Sequence, residues 1–251
     1  MRLRCLAAFT GLLNLIAAAQ NPPKPPAPLT ATAPTDPPRW ETIASAGLTL
    51  TKGNSDTLLA NFGVTTAKKT LVSEISLSAS LTYGEASGVK NVDNYNADAQ
   101  YNHLVSERFY TGFKLAAAKD DIANLAYRLT LSPLVGYYFI KTAATQFSAE
   151  TGPSYLVEQL GGFSRSYAAF RVGERFEHKF NDRAKVWEVA EIIPQVDRFS
   201  QYLINFELGV SSAITARTSL RAVLQDTYNS QAAAGRKAND IRIVTGIGYK
   251  F

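Results

Sequence analysis

The last eleven residues, Ile241-Arg242-Ile243-Val244-Thr245-Gly246-Ile247-Gly248-Tyr249-Lys250-Phe251, decide the fold. Ile241, Ile243, Thr245, Ile247, Tyr249 and Phe251 fall on one side of an extended chain, and Arg242, Val244, Gly246, Gly248 and Lys250 on the other. A period of two is the mark of a β-strand. A soluble sandwich has no physical need to end on Tyr-x-Phe, whereas a strand that crosses lipid wants an apolar band and aromatic rings at headgroup level. The stretch therefore predicts a membrane strand. Tyr249 and Phe251 then form the terminal signal through which a barrel-assembly machinery recognises such chains.

The same alternation recurs upstream. Leu71, Ile75, Leu77, Ala79, Leu81 and Tyr83 oppose Val72, Glu74, Ser76, Ser78, Ser80 and Thr82, and Tyr127, Leu129, Leu131, Pro133, Val135, Tyr137 and Phe139 oppose Arg128, Thr130, Ser132 and Gly136. Candidate strands number about twelve, at 42–52, 57–67, 71–84, 93–105, 108–119, 126–140, 145–158, 166–180, 184–196, 201–213, 218–229 and 240–251. An even number lays the last strand antiparallel to the first and removes both open edges. The expected fold class is all-β: a transmembrane antiparallel up-and-down β-barrel of about 12 strands over residues 40–251. A secreted sandwich or lipocalin-like barrel would also alternate, but here the non-aromatic face is rich in Ser, Thr, Asn, Gln, Gly and charge, too small and polar to fill a dry core. Glu174 and His178 interrupt the apolar series of the eighth segment and Ile192-Ile193-Pro194 blurs the ninth, so a bulge is expected there. Tight connections such as Lys68-Lys69-Thr70 and Asn181-Asp182-Arg183 belong to the periplasmic rim. Longer ones, over 85–92, 120–125, 159–165 and 230–239, belong outside.

The opposite end supplies the address. Arg2 and Arg4 precede an apolar run from Leu6 to Ile16, and Ala17-Ala18-Ala19 offers a small-x-small cleavage site, so residues 1–19 read as a secretory signal peptide. Its loss takes away two arginines and no acidic residue, and the formal charge falls from +5 to +3. Cys5, the single cysteine, leaves with it, so the mature chain is expected to have no disulfide and no cysteine-based metal site. Residues 20–39 hold eight of the eleven prolines and form a periplasmic tether, either a plain spacer or a semi-rigid arm that touches other envelope material. The weakly basic balance comes with no Lys/Arg cluster, which argues against nucleic-acid binding. A mean hydropathy of −0.09 is compatible with a barrel, because only every second residue of a strand faces lipid.

Three features carry a family resemblance: Trp40 to Asp56 with Gly47 and Gly53-Asn54-Ser55, the Tyr83-Gly84-Glu85 strand end, and the closing Gly246-Ile247-Gly248-Tyr249-Lys250-Phe251. Together they resemble the YdiY-like family of salt-induced outer-membrane proteins, over about residues 40–251. The resemblance implies an outer-membrane location, a barrel and a link to osmotic or salt stress. It brings no catalytic residues with it.

On the strand pattern Glu74, Asp98, Lys114, Arg128, Glu150, Arg171, Arg175, Glu207, Arg221 and Arg242 project into the lumen. Twelve strands tilted near 40° and spaced about 4.8 Å give a backbone radius on the order of 12 Å, which leaves a narrow interior. Two arrangements fit. The charges pair into a network that packs the lumen, or they line a narrow passage for small solutes or ions in which Arg128, Arg171, Arg175, Arg221 and Arg242 favour anions. The competing class is a barrel enzyme, lipase- or protease-like, which needs a nucleophile, a base and an orienting group. The only two histidines are His103, on the outward face, and His178, and neither stands in a His-x-Ser motif or an Asp/His cluster. No phosphate loop and no metal-ligand spacing appears, so neither a cofactor nor a metal is expected. The expected partners are outer-membrane lipid, the assembly machinery and small solutes or ions.

Overall fold

The computed structural model describes residues 39–51 and 56–251. The segments expected as signal peptide (1–19) and tether (20–39) lie outside the described residues, apart from Arg39. The strands are β1 (Glu41–Thr51), β2 (Thr57–Lys69), β3 (Ser73–Ala86), β4 (Val89–Leu104), β5 (Phe109–Asp120), β6 (Leu125–Lys141), β7 (Thr145–Leu160), β8 (Phe163–Lys179), β9 (Ala184–Pro194), β10 (Tyr202–Ala213), β11 (Thr218–Asn229) and β12 (Asn239–Lys250). Each pairs antiparallel with its neighbour in sequence, and β1 pairs with β12 to close the barrel. The start of β1 and the end of β12 share one rim, called here the terminal end.

Alternation along each strand separates two surfaces. In β6, Thr130, Ser132, Leu134, Gly136 and Tyr138 are buried in the lumen, while Leu129, Leu131, Pro133, Val135, Tyr137 and Phe139 between them are exposed on the outer face. Rings gather on that outer face near the terminal rim: Phe139 lies 5.3 Å from Tyr137 and 5.5 Å from Phe147, and Tyr249 lies 5.0 Å from Phe251. These are the amphipathic girdle positions that an interface between oil and water favours.

Two sequence expectations need correction. The 85–92 and 159–165 segments are not long loops. β3 and β4 join through Ser87-Gly88, at φ 51° and 75°, and β7 and β8 through Gly161-Gly162, at φ 60° and 83°. Two successive left-handed residues make the turn whose twist matches paired strands, so the ladders run almost to the tips. Nor does a bulge divide β8 from β9. Val172–Lys179 and Lys185–Ile192 pair without a shift, and the bridge Ala169↔Gln195 keeps the same register beyond a gap opposite Ile193-Pro194. Proline has no donor for that rung. The register shifts lie elsewhere, at Gly84/Glu85, Ala118/Asp120, Leu125/Tyr127 and Tyr138/Ile140.

Two glycines are set by close approach. A Cβ on Gly136 would enter the Tyr110 ring, and one on Gly209 the Trp187 ring. Both rings lie flat over the neighbouring strand and fill the inner wall. Gly136→Ala and Gly209→Ala should each destabilise the barrel by about 1–3 kcal/mol, the usual cost of overpacking. Urea unfolding followed by gel mobility measures this. Pairing Gly136→Ala with Tyr110→Leu should recover much of the loss.

Candidate functional site

The lumen is filled on one side and lined by small side chains on the other. On β12, β1, β2 and β3 the inward positions include Gly246, Gly248, Ser45, Gly63, Ser78 and Ser80, none of which reaches far from the wall. On β4 to β10 the inward positions carry long charged or aromatic side chains, and these meet in layers.

The middle layer is a belt of ion pairs. Glu191 on β9 receives Lys114 Nζ from β5 at 3.0 Å, Arg171 Nε from β8 at 2.7 Å and Asn205 Nδ2 from β10 at 2.9 Å. Glu150 on β7 receives the other side of Arg171 at 2.6 Å, with Gln100 Nε2 at 2.9 Å and the Tyr110 hydroxyl at 3.1 Å. Asp98 on β4 stands 3.7 Å from Lys114. β5 and β9 are four strands apart, so the Lys114–Glu191 contact spans the interior. The Arg171 side chain is only 3% exposed, and such a charge survives burial only when paired and hydrogen-bonded.

Toward the far end, Glu158 lies fully buried between Arg128 and Arg165, each at 2.5 Å, over a small apolar cluster of Leu156, Ala169, Ile193 and Leu203. Toward the terminal end, Tyr138 donates to Glu74 at 2.5 Å and packs with Tyr110 and Leu134. Glu207 accepts from Trp187 Nε1 at 2.7 Å and Gln225 Nε2 at 3.0 Å. Lys69 on β2 reaches Gln146 on β7 at 3.0 Å, across the terminal mouth.

All ten lumen residues expected from the sequence point inward, but they do not form one lining. Arg171 is held by two carboxylates, Arg128 by Glu158, and Arg242 stands 3.7 Å from Asp120. Arg175 and Arg221 form no ion pair among the described residues, and Arg221 lies over the Trp187 ring at 5.1 Å. Two of the three carboxylates with three side-chain partners each, Glu191 and Glu158, are not among the ten; the third, Glu150, is. Glu191 stands beside the blurred Ile192-Ile193-Pro194, and Glu158 sits at the end of its segment.

The far mouth carries a strap. The connection between β11 and β12, residues 230–238, is closed at its base by Asn229 N donating to Ala238 O at 2.7 Å, and is fixed to β10 by Tyr202 N donating to Ser230 Oγ at 2.7 Å. Ala233 at its crest is buried against Leu125 of β6 and Leu160 of β7, on the opposite side of the barrel, with Ala118 alongside. Below it Arg242 of β12 meets Asp120 of β5. His103 and His178 are outside the lumen: His103 is exposed on the outer face, and His178 pairs with Thr145 Oγ1 at 2.8 Å and meets Phe180 edge to face. The lumen carboxylates thus have no histidine beside them.

A closed antiparallel barrel with an apolar exterior and a polar interior is the fold of the outer-membrane porins. The structure of NanC porin matches with a TM-score of 0.52 at 8% identity, covering 84% of this chain and 100% of that one. The KdgM porin matches at 0.46 and 10% identity, covering 85% and 99%. The outer-membrane channel DcaP of Acinetobacter baumannii matches at 0.43 and 8% identity, covering 85% and 96%. The chain belongs to DUF481, a family of proteins of unknown function, whose model matches residues 44–251. None of the curated proteins matches it in sequence.

Glu191→Ala should destabilise the folded barrel by about 3–5 kcal/mol, because Arg171 and Lys114 would keep buried charges with too few partners. Lys114→Met should cost clearly less, since Glu191 keeps Arg171 and Asn205. Unfolding midpoints of the two variants in one detergent check the order.

Proposed function

We propose that the protein is an outer-membrane barrel with a narrow passage for small solutes or ions, running along the small-residue wall of β12, β1, β2 and β3 and strapped at its far mouth by residues 230–238. The asymmetry of the lumen carries this reading. A barrel built only as a structural peg gains nothing from keeping the middle of four adjacent strands small, between Lys69 and Glu74 at the terminal end and Arg242 at the far end, whereas a passage needs an unfilled side. The filled side supplies rigidity, and Arg175 and Arg221, which form no ion pair among the described residues, favour anions against the opposing charges of Glu74 and Glu207, which form none either. With the terminal rim in the periplasm, the strap faces outward, and its exposed Arg236-Lys237 should be cut by trypsin on intact cells.

A salt-linked role of the kind the sequence resemblance implies has a physical route in the strap. The Arg242–Asp120 pair beneath it is long at 3.7 Å and about one-fifth exposed on each side, so ionic strength reaches it, though less than it would a surface pair.

Purified protein in a planar bilayer provides the test. Small stepwise conductance is expected, with anion selectivity that falls in Arg175→Gln/Arg221→Gln. Replacing residues 231–237 with a two-residue Asn-Gly turn should raise conductance several-fold, because the hairpin then has no chain to lay across the mouth. Silence in both the parent and the shortened protein would leave a closed structural barrel as the function. Turnover of phospholipid or peptide by either would put the enzyme class in its place.

A further inference from the structure

The closing ladder between β1 and β12 is only half made. It runs Ile43↔Lys250, Ala44↔Tyr249, Ser45↔Gly248 and Ala46↔Ile247 and stops, although β1 continues to Thr51 and β12 reaches back to Asn239. Continued in register, Leu48 would face Thr245 and Leu50 would face Ile243, and neither pair forms. Each of these stretches is bonded on its other side only, β1 to β2 and β12 to β11.

Three further observations mark the gap as a built feature. The outward side chains along it, Leu48, Leu50, Ile241 and Ile243, are 61–66% exposed, against 45–53% for Leu115, Leu129 and Leu131 on fully paired strands. Asn61 of β2 reaches past Gly47 and donates its side-chain amide to Thr245 O at 3.5 Å, so a lumen side chain stands where a ladder bond would have been. Gly47 leaves room for that reach, since a Cβ there would strike both Thr245 O and the Asn61 amide. The gap therefore opens from an apolar exterior directly onto the small-residue wall.

We propose that the far half of the β1–β12 seam is a lateral portal, through which the acyl chain of an amphiphile lies between Leu48/Leu50 and Ile241/Ile243 while its polar head occupies the lumen beside Thr49 and Asn61. The bilayer leaflet at the far end dictates the occupant. Hydrocarbon is what surrounds these side chains once the barrel spans a membrane, and open strand edges within it need either polar partners or access to the wet lumen. The portal rests on the passage reading for its wet interior. It differs in what enters, and from where.

The experiment uses the full-length protein in phosphatidylcholine vesicles doped with a phosphatidylcholine whose acyl chain carries a photoreactive diazirine, with adducts mapped by mass spectrometry. Adducts are expected on the outward Leu129 and Leu131 and also on the inward-facing Thr49 and Asn61. In an oxidised Leu48→Cys/Thr245→Cys variant the seam is pinned. Adducts at Thr49 and Asn61 should then fall at least five-fold while those at Leu129 and Leu131 persist, and reduction should restore them. Absence of lumen adducts in the parent, or equal lumen labelling in the pinned and reduced states, overturns the portal. A Leu50→Cys single variant that forms disulfide-linked pairs while Thr49 and Asn61 stay unlabelled also overturns it, in favour of a second copy at the seam. Conductance of the same vesicles separates the two proposals: stepwise current without lumen adducts removes the portal alone, and lumen adducts without current remove the passage alone.

Discussion

Backbone hydrogen bonding without water governs this molecule. A chain surrounded by hydrocarbon has to satisfy every peptide group within itself, and a sheet can do so only by closing on itself. A closure that is antiparallel throughout needs an even number of strands, and the twelve here close in consecutive order. Departures from pairing are then placed where they do least damage. Pro133 and Pro153 stand on the same rung, between Leu131↔Tyr155 and Val135↔Thr151, so one interruption of the β6–β7 ladder accommodates both missing donors. Pro194 falls where β9 nears its end. The β1–β12 seam breaks this economy with no proline to account for it. It breaks it beside the lumen, where water can reach the open groups.

The filled half of the lumen follows from the same alternation. Inward positions on β4 to β10 are buried by geometry whatever occupies them, and several are occupied by full charges. Such charges contribute little net stability, because the loss of solvation offsets most of the attraction, yet removing one partner is expensive. The belt through Glu150, Arg171, Glu191 and Lys114 is therefore best understood as a positional device. It ties β5, β7, β8 and β9 at fixed separations across the interior, which sheet bonds between neighbours cannot do. Gly173 takes part, since a Cβ there would crowd the Arg171 guanidinium.

Strand number, order and approximate ends were legible in the sequence because a period of two leaves a trace in every segment, and the inward direction of Glu74, Asp98 or Arg242 follows from parity alone. Partnership was not legible. Nothing in the spacing of Lys114 and Glu191 says that they meet across four strands, and an arginine that reads as lining, such as Arg171, proves to be consumed by two carboxylates. Hairpin length was misread for a related reason. Ser87-Gly88 and Gly161-Gly162 are strong turn signals, but the polar residues around them look like loop until the ladder is seen to continue through them. A polar strand beyond an apolar band has no amphipathic pattern to betray it. The strap was hidden too, since an Ala-rich segment reveals nothing of the cluster its one buried methyl will join.

The strap and the incomplete seam belong to the same part of the chain, which gives the lumen its direction. β12 follows directly after the strap and forms one edge of the seam, so a force that lifts Ala233 from Leu125 and Leu160 acts on the strand whose far half is bonded only to β11. Arg242 lies between the two, on β12, with its carboxylate partner on β5. The far half of β12 is thus held from the strap, from β11 and from Asp120 across the lumen, and not from β1.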